Sequence, residues 1–157
     1  MSITRRILSI ALLLLATLTV AFIFYNSMLP PEKSEQQSGA FGDIIAEIIP
    51  PETEAGGFVQ KYLRKIAHFT EYGLLGIELM LFTVLFAKRK LLFGVCSLGC
   101  ATLTALLDET IQIFSKRGPS VNDIWIDVGG YAFFAAVTLG VLLLIYFVIF
   151  IIRKIRD

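Results

Sequence analysis

The sequence predicts an all-α integral membrane protein, a bundle of four transmembrane helices with both termini in the cytoplasm. Two observations carry that prediction. Hydrophobic residues make up 56% of the 157-residue chain and charged residues only 17%, a balance shifted well away from soluble domains. The apolar residues also fall into four runs, at about 7–29, 67–87, 91–114 and 123–152. Each is at least as long as the ~20 residues an α-helix needs to cross a bilayer. The length suits a single domain, 1–157. A net charge of +1 gives no basic excess that would mark a nucleic-acid partner.

The first run follows Arg5 and Arg6 and has the look of a signal peptide. Its apolar stretch is longer than the ~7–15 residues of such signals, and no A-x-A cleavage site follows. No Cys stands there for a lipoprotein anchor, so a retained anchor is expected. The outer loop, 30–60, divides in two. "PPEKSEQQSG" and "PPETEAGG" read as linkers. Between them "FGDIIAEII" places Phe41, Ile44, Ile45, Ile48 and Ile49 at helical spacing, with Asp43 and Glu47 opposite. That pattern fits a short interfacial helix or, equally, a loop segment packed on the bundle.

The second and third runs are joined by the "KRK" turn at 88–90, so they are expected to be antiparallel neighbours. Cys96 and Cys100 lie in the third run among Gly94, Ser97, Gly99 and Ala101. With no His or third Cys nearby, they are expected to pack in a small-residue helix seam. A Gly-Pro turn then leads into the fourth run.

Orientation follows from Lys and Arg near the ends of the runs. Arg5, Arg6, Lys88, Arg89, Lys90, Arg153, Lys154 and Arg156 mark one side, offset only by Asp157. Lys33, Lys61, Arg64, Lys65, Lys116 and Arg117 mark the other, together with the acidic loop. The first side is taken as cytoplasmic. Most of the outer bases then run against the sorting trend, beside polar residues of the spans.

Those polar residues share one depth. On a helix Lys65, His68, Glu71 or Tyr72, and Leu75 share a face, and Glu78 continues it toward mid-bilayer. Asp108, Glu109 and Gln112 lie one to two turns below the outer end of the third run. Asp123 and Asp127 begin the fourth, with Gly130 on the same face. A central Asp or Lys costs about 2.5–3.5 kcal/mol on insertion scales. So many at one level are expected to face one another in a pocket rather than face lipid. Purely structural pairing, such as Lys65 with Glu71, Arg117 with Asp123 or Asp108 with Gln112, is the alternative.

"KIAHFTEYGLLG", then "DETIQIF", then "RGPSVNDIWIDVGG" together resemble the VanZ-like family of small membrane proteins. The matching positions are Lys65, His68, Phe69, Tyr72, Asp108, Glu109, Gln112, Phe114, Arg117, Asp123 and Gly130, within residues 61–135. Asp127 stands where the family usually has Asn, and Phe134 where a later Gly is common. The resemblance implies a bacterial cell-envelope protein in the cell membrane. It also implies a link to glycopeptide antibiotic resistance, since the founding member is associated with resistance to teicoplanin.

The residues themselves suggest three kinds of activity. His68, Asp108 and Glu109 have the types needed for general acid–base work. Lys65, Tyr72, Gln112 and Arg117 have those needed to hold a phosphate-bearing substrate. Glu71, Asp123 and Asp127 are candidate ligands for a divalent cation, for which a carboxylate-rich set favours Mg or Mn over Zn. Hydrolysis or transfer at a lipid-linked phosphate or sugar would use all of them, although no nucleophile is evident. A non-enzymatic binder or translocator of an anionic lipid head group would use the same pocket. The third reading is a modulator of a partner membrane enzyme. The expected partners are membrane lipids or lipid-linked cell-wall components.

Overall fold

The computed structural model describes residues 2–50, 52–115, 118 and 120–156; the side chains at 35, 37, 38, 40, 41 and 60 fall outside the described set. It contains five α-helices: α1 (Ile3–Met28), α2 (Pro31–Ala46), α3 (Glu54–Leu85), α4 (Lys90–Phe114) and α5 (Val121–Arg156). No strand occurs among the described residues.

Local chemistry sets the helix ends. The Ser2 side chain caps α1 by accepting the Arg5 N–H at 3.3 Å. Leu29 ends it in extended conformation ahead of Pro30, as a residue before proline prefers. Pro31 then opens α2, where a missing N–H costs nothing. The Thr53 hydroxyl caps α3 by accepting the Gly56 N–H at 3.0 Å. Arg153, Lys154 and Arg156 fill the last turn of α5, where a helix dipole favours cations.

Three of these helices are long and apolar enough to cross a membrane: α1, α4 and α5. The chain is therefore a multi-pass membrane protein. The sequence led us to expect four such helices, but α3 is not among them. Lys65, His68, Glu71 and Glu78 interrupt its apolar content, and it starts at Glu54 rather than near 67. The Gly-Gly pair after Thr53 sits inside its first turns instead of forming a linker.

The outer loop also differs from expectation. Helix α2 covers the stretch read as a linker, and residues 47–49, expected to be helical, form a turn. Ile44 and Ile48 are exposed, and Phe41 lies outside the described side chains. Helix α2 packs on α3.

Helices α1, α3, α4 and α5 share one core. Ala16 and Ile23 come from α1, Tyr72 and Leu75 from α3, Ala101 and Ala105 from α4, and Tyr131 and Ala135 from α5. The tightest approach is between α3 and α5. A Cβ at Gly76 would collide with the Tyr131 carbonyl oxygen, and one at Gly130 with the Phe69 carbonyl oxygen. These two glycines let the backbones meet, as small residues do in membrane helix pairs.

The cysteines depart from expectation. Cys96 and Cys100 are free thiols on the exposed side of α4. The buried small residues are Ser97, Ala101 and Ala105, four apart and one position around the helix.

Helix α3 runs beside α1 for most of the length of α1. Asn26 Nδ2 donates to Glu71 Oε1 at 2.8 Å, Thr19 Oγ1 to Glu78 Oε1 at 3.0 Å, and Arg5 Nη2 to the Leu85 carbonyl at 2.9 Å. The start of α1 thus lies at the end of α3, opposite the end that holds the polar cluster.

Candidate functional site

The polar residues predicted to share a depth do meet. Tyr72, Asp108 and Asp127 are 0% exposed, Gln112 1% and Glu109 4%. They come from three helices with no sequence contiguity, so their convergence is a property of the fold. Helix α3 contributes Lys65, His68, Glu71 and Tyr72; α4 contributes Asp108, Glu109 and Gln112; α5 contributes Asp123 and Asp127.

Asp108 is the most connected. It accepts from the Ser27 hydroxyl and from Gln112 Nε2 at 3.0 Å. Gln112 in turn accepts from Arg64 Nη2 at 2.8 Å. This arrangement carries a guanidinium's influence to a fully buried carboxylate through one amide. His68 Nδ1 lies 3.8 Å from Asp108 Oδ2 and 3.8 Å from Asp127 Oδ1. Glu109 Oε2 accepts the Ser120 backbone N–H at 2.7 Å, which ties the start of α5 to α4.

Lys65 pairs with Asp123 at 2.9 Å. As both side chains are partly exposed, the pair is worth little in stability. Glu71 bonds to Asn26. Of the residues considered as cation ligands from sequence, Asp127 alone lies in the group whose ligand atoms converge. That group is His68, Asp108 and Asp127, with one atom from each within 4.8 Å of the others. Neither oxygen of Asp127 has a hydrogen-bond partner among the described residues, and the same holds for Tyr72 Oη and Glu109 Oε1. Arg117 and Lys116 lie outside the described residues.

A cavity of about 150 Å³ reaches this group from the bundle end. Lys61, Arg64 and Lys65 line it together with Asp123, and His68 and Asp127 line it as well. Lys61 lies over the Tyr62 ring at 5.4 Å. A wider apolar groove of about 540 Å³ adjoins the cavity, lined by Phe58, Ile66, Phe69 and Trp125, and shares Tyr62, Lys65 and Ile126 with it.

Sequence reasoning missed part of the site. Lys61 and Arg64 were noted as outer bases but not placed in the pocket. Asn26 and Ser27 were missed altogether. The one available signal was the "YNS" that closes an otherwise apolar first run.

A family model described as VanZ/LLP1 matches residues 12–153. The match takes in α1 from residue 12 on, which lies outside the motif span of 61–135 and supplies Asn26 and Ser27 to the site. No curated protein and no solved structure matches the chain.

Proposed function

The chain belongs to the VanZ/LLP1 family, and from that premise we propose that its polar pocket takes the anionic head group of a lipid-linked cell-envelope component. The observation that carries this reading is the cavity with Lys61, Arg64 and Lys65 at its mouth and His68 and Asp127 within. Three cations at the opening attract an anion. Arg64 and Lys65 each spend one donor on Gln112 and Asp123 and keep others for phosphate oxygens. Arg117, which lies outside the described residues, is proposed for the same anion-binding role from its place in the sequence motif alone. Tyr72 and Gln112 are buried and do not line the cavity; the adjoining apolar groove suits the lipid chain.

Hydrolysis or group transfer at the bound head group is the second reading. The meeting of His68, Asp108 and Asp127 favours it, since an imidazole held between carboxylates is suited to proton transfer. Glu109 stands on the next residue of the same helix.

In this reading α3 is a fourth membrane crossing, and the pocket opens to the outside with both termini in the cytoplasm. Its pairing with α1 from Asn26 to Arg5 supports a crossing of similar height, and its buried polar face explains its lower apolar content. The charge bias supports the orientation. Sided labelling tests it, in a background lacking Cys96 and Cys100. Ser34→Cys and Gly118→Cys are expected to react with an impermeant thiol reagent on intact cells, and Arg89→Cys is not. Labelling of Arg89→Cys alone would invert the topology.

The head-group reading is tested with a soluble short-chain phosphatidic acid. It is expected to raise the melting temperature of the purified full chain, and the matching neutral diglyceride is not. Equal shifts from both lipids, or an equal shift in a Lys61→Gln/Arg64→Gln variant, would contradict it.

A further inference from the structure

We propose that His68, Asp108 and Asp127 hold a single divalent transition-metal ion at the inner end of the pocket. Three features point to it. The His68 nitrogen stands 3.8 Å from one oxygen of each Asp, and all three ligand atoms lie within 4.8 Å of one another. With two sides of 3.8 Å and a third of at most 4.8 Å, the corners lie up to about 2.5 Å from a common centre, a few tenths of an ångström beyond the bond lengths of imidazole and carboxylate ligands and within reach of a small side-chain adjustment. Asp127 supplies the second feature. It is fully buried, and both of its oxygens are without a hydrogen-bond partner among the described residues, although buried carboxylates are ordinarily paired or bound to a metal. The third feature is charge. Asp108 and Asp127 are both fully buried and both lie 3.8 Å from the same His68 nitrogen, and a cation between them offsets the repulsion of two carboxylates held so close.

The ligand set also narrows the ion. Mg²⁺ and Ca²⁺ prefer oxygen ligands alone, whereas one imidazole with two carboxylates suits Mn²⁺ or Zn²⁺. Three protein ligands leave coordination positions for a phosphate oxygen or a water reaching the site through the cavity. Gln112 and Ser27, both bonded to Asp108, would orient that ligand from behind, as outer partners commonly do. What the ion would do for the head group rests on the reading above; its binding does not.

The experiment therefore measures binding with no phosphate or lipid phosphate present. Untagged full-length protein in a phosphate-free neutral detergent is titrated with Mn²⁺ and followed by electron paramagnetic resonance. One equivalent is expected to bind and to be displaced by Zn²⁺. Because the chain has a single His, pulsed spectra are expected to show imidazole nitrogen coupling that can come only from His68. Asp127→Asn is expected to weaken binding by at least about tenfold, while Glu71→Gln and Asp123→Asn keep affinity near that of the wild type. Absence of binding at millimolar Mn²⁺, bound Mn²⁺ without nitrogen coupling, or equal weakening in all three variants would overturn the site. The wild-type spectra decide the question even if Asp127→Asn does not fold. A site that binds Mn²⁺ in a protein indifferent to lipid phosphate would retain the metal and remove only the head-group reading.

Discussion

The two halves of α5 are one continuous helix in two different surroundings. The N-terminal half holds Asp127, Gly130, Tyr131 and Ala135, every residue of the helix that is buried. The C-terminal half, from Ala136 on, has none; it is dominated by Leu, Ile, Val and Phe side chains, most of them exposed. The first half is held by other helices. Gly130 lies against the Phe69 carbonyl, and the Tyr131 hydroxyl donates to Ser97 Oγ at 2.8 Å. The second half is suited to lipid, which accepts apolar side chains without asking for specific partners. Polar groups in a membrane therefore show where the protein builds its own interior, and apolar length shows only where it does not need one.

Substitutions break or sharpen this contrast. The largest loss is expected from Gly130→Ala. Its Cβ would strike a backbone carbonyl, which cannot rotate away, so α3 and α5 must separate. A cost of about 3 kcal/mol or more is expected, read as a collapse in melting temperature of the purified chain. Gly73→Ala is expected to cost less, about 1–2 kcal/mol, because its Cβ meets the Phe134 ring, a side chain that can shift. Phe134→Leu in the same chain should recover most of that loss. A failure to recover it would mean that the α3–α5 spacing is not set at this contact.

Much of this was readable in advance, for a physical reason. Charged residues inside apolar runs are costly, so their positions report depth. Run boundaries and the Lys and Arg bias place Asp108, Asp127 and His68 together. The neutral partners were not readable. Asn26, Ser27 and Thr19 cost too little in a membrane segment to stand out, and only the fold shows that α1 supplies them. The pairing of Lys65 with Asp123 rather than Glu71 depends on how α5 lies against α3, which periodicity does not report. The cysteines misled because Cys96 and Cys100 share a face, but that face is next to the buried one. The extra length of α3 was missed because Gly56 and Gly57 read as a linker, while the Thr53 cap let a helix begin just before them.

Smaller effects test the neutral partners and the lipid-facing half. Thr19→Val would leave Glu78 Oε1 without its buried donor, and a loss of about 1–2 kcal/mol is expected. Leu143→Ala, in the exposed half of α5, is expected to stay within about 0.5 kcal/mol of wild type. A large loss there would show that this half is covered by protein and would remove the contrast.

The central claim is that the protein-built interior ends in a pocket for an anionic lipid head group. Native mass spectrometry of the full chain, extracted with the lipids of its own membrane, tests that claim most directly. The account predicts adducts whose masses match phosphate-bearing lipids. It also predicts their loss in a Lys61→Gln/Arg64→Gln variant that melts like the wild type. Adducts of neutral lipids alone, or phosphate-lipid adducts unchanged in that variant, would contradict it.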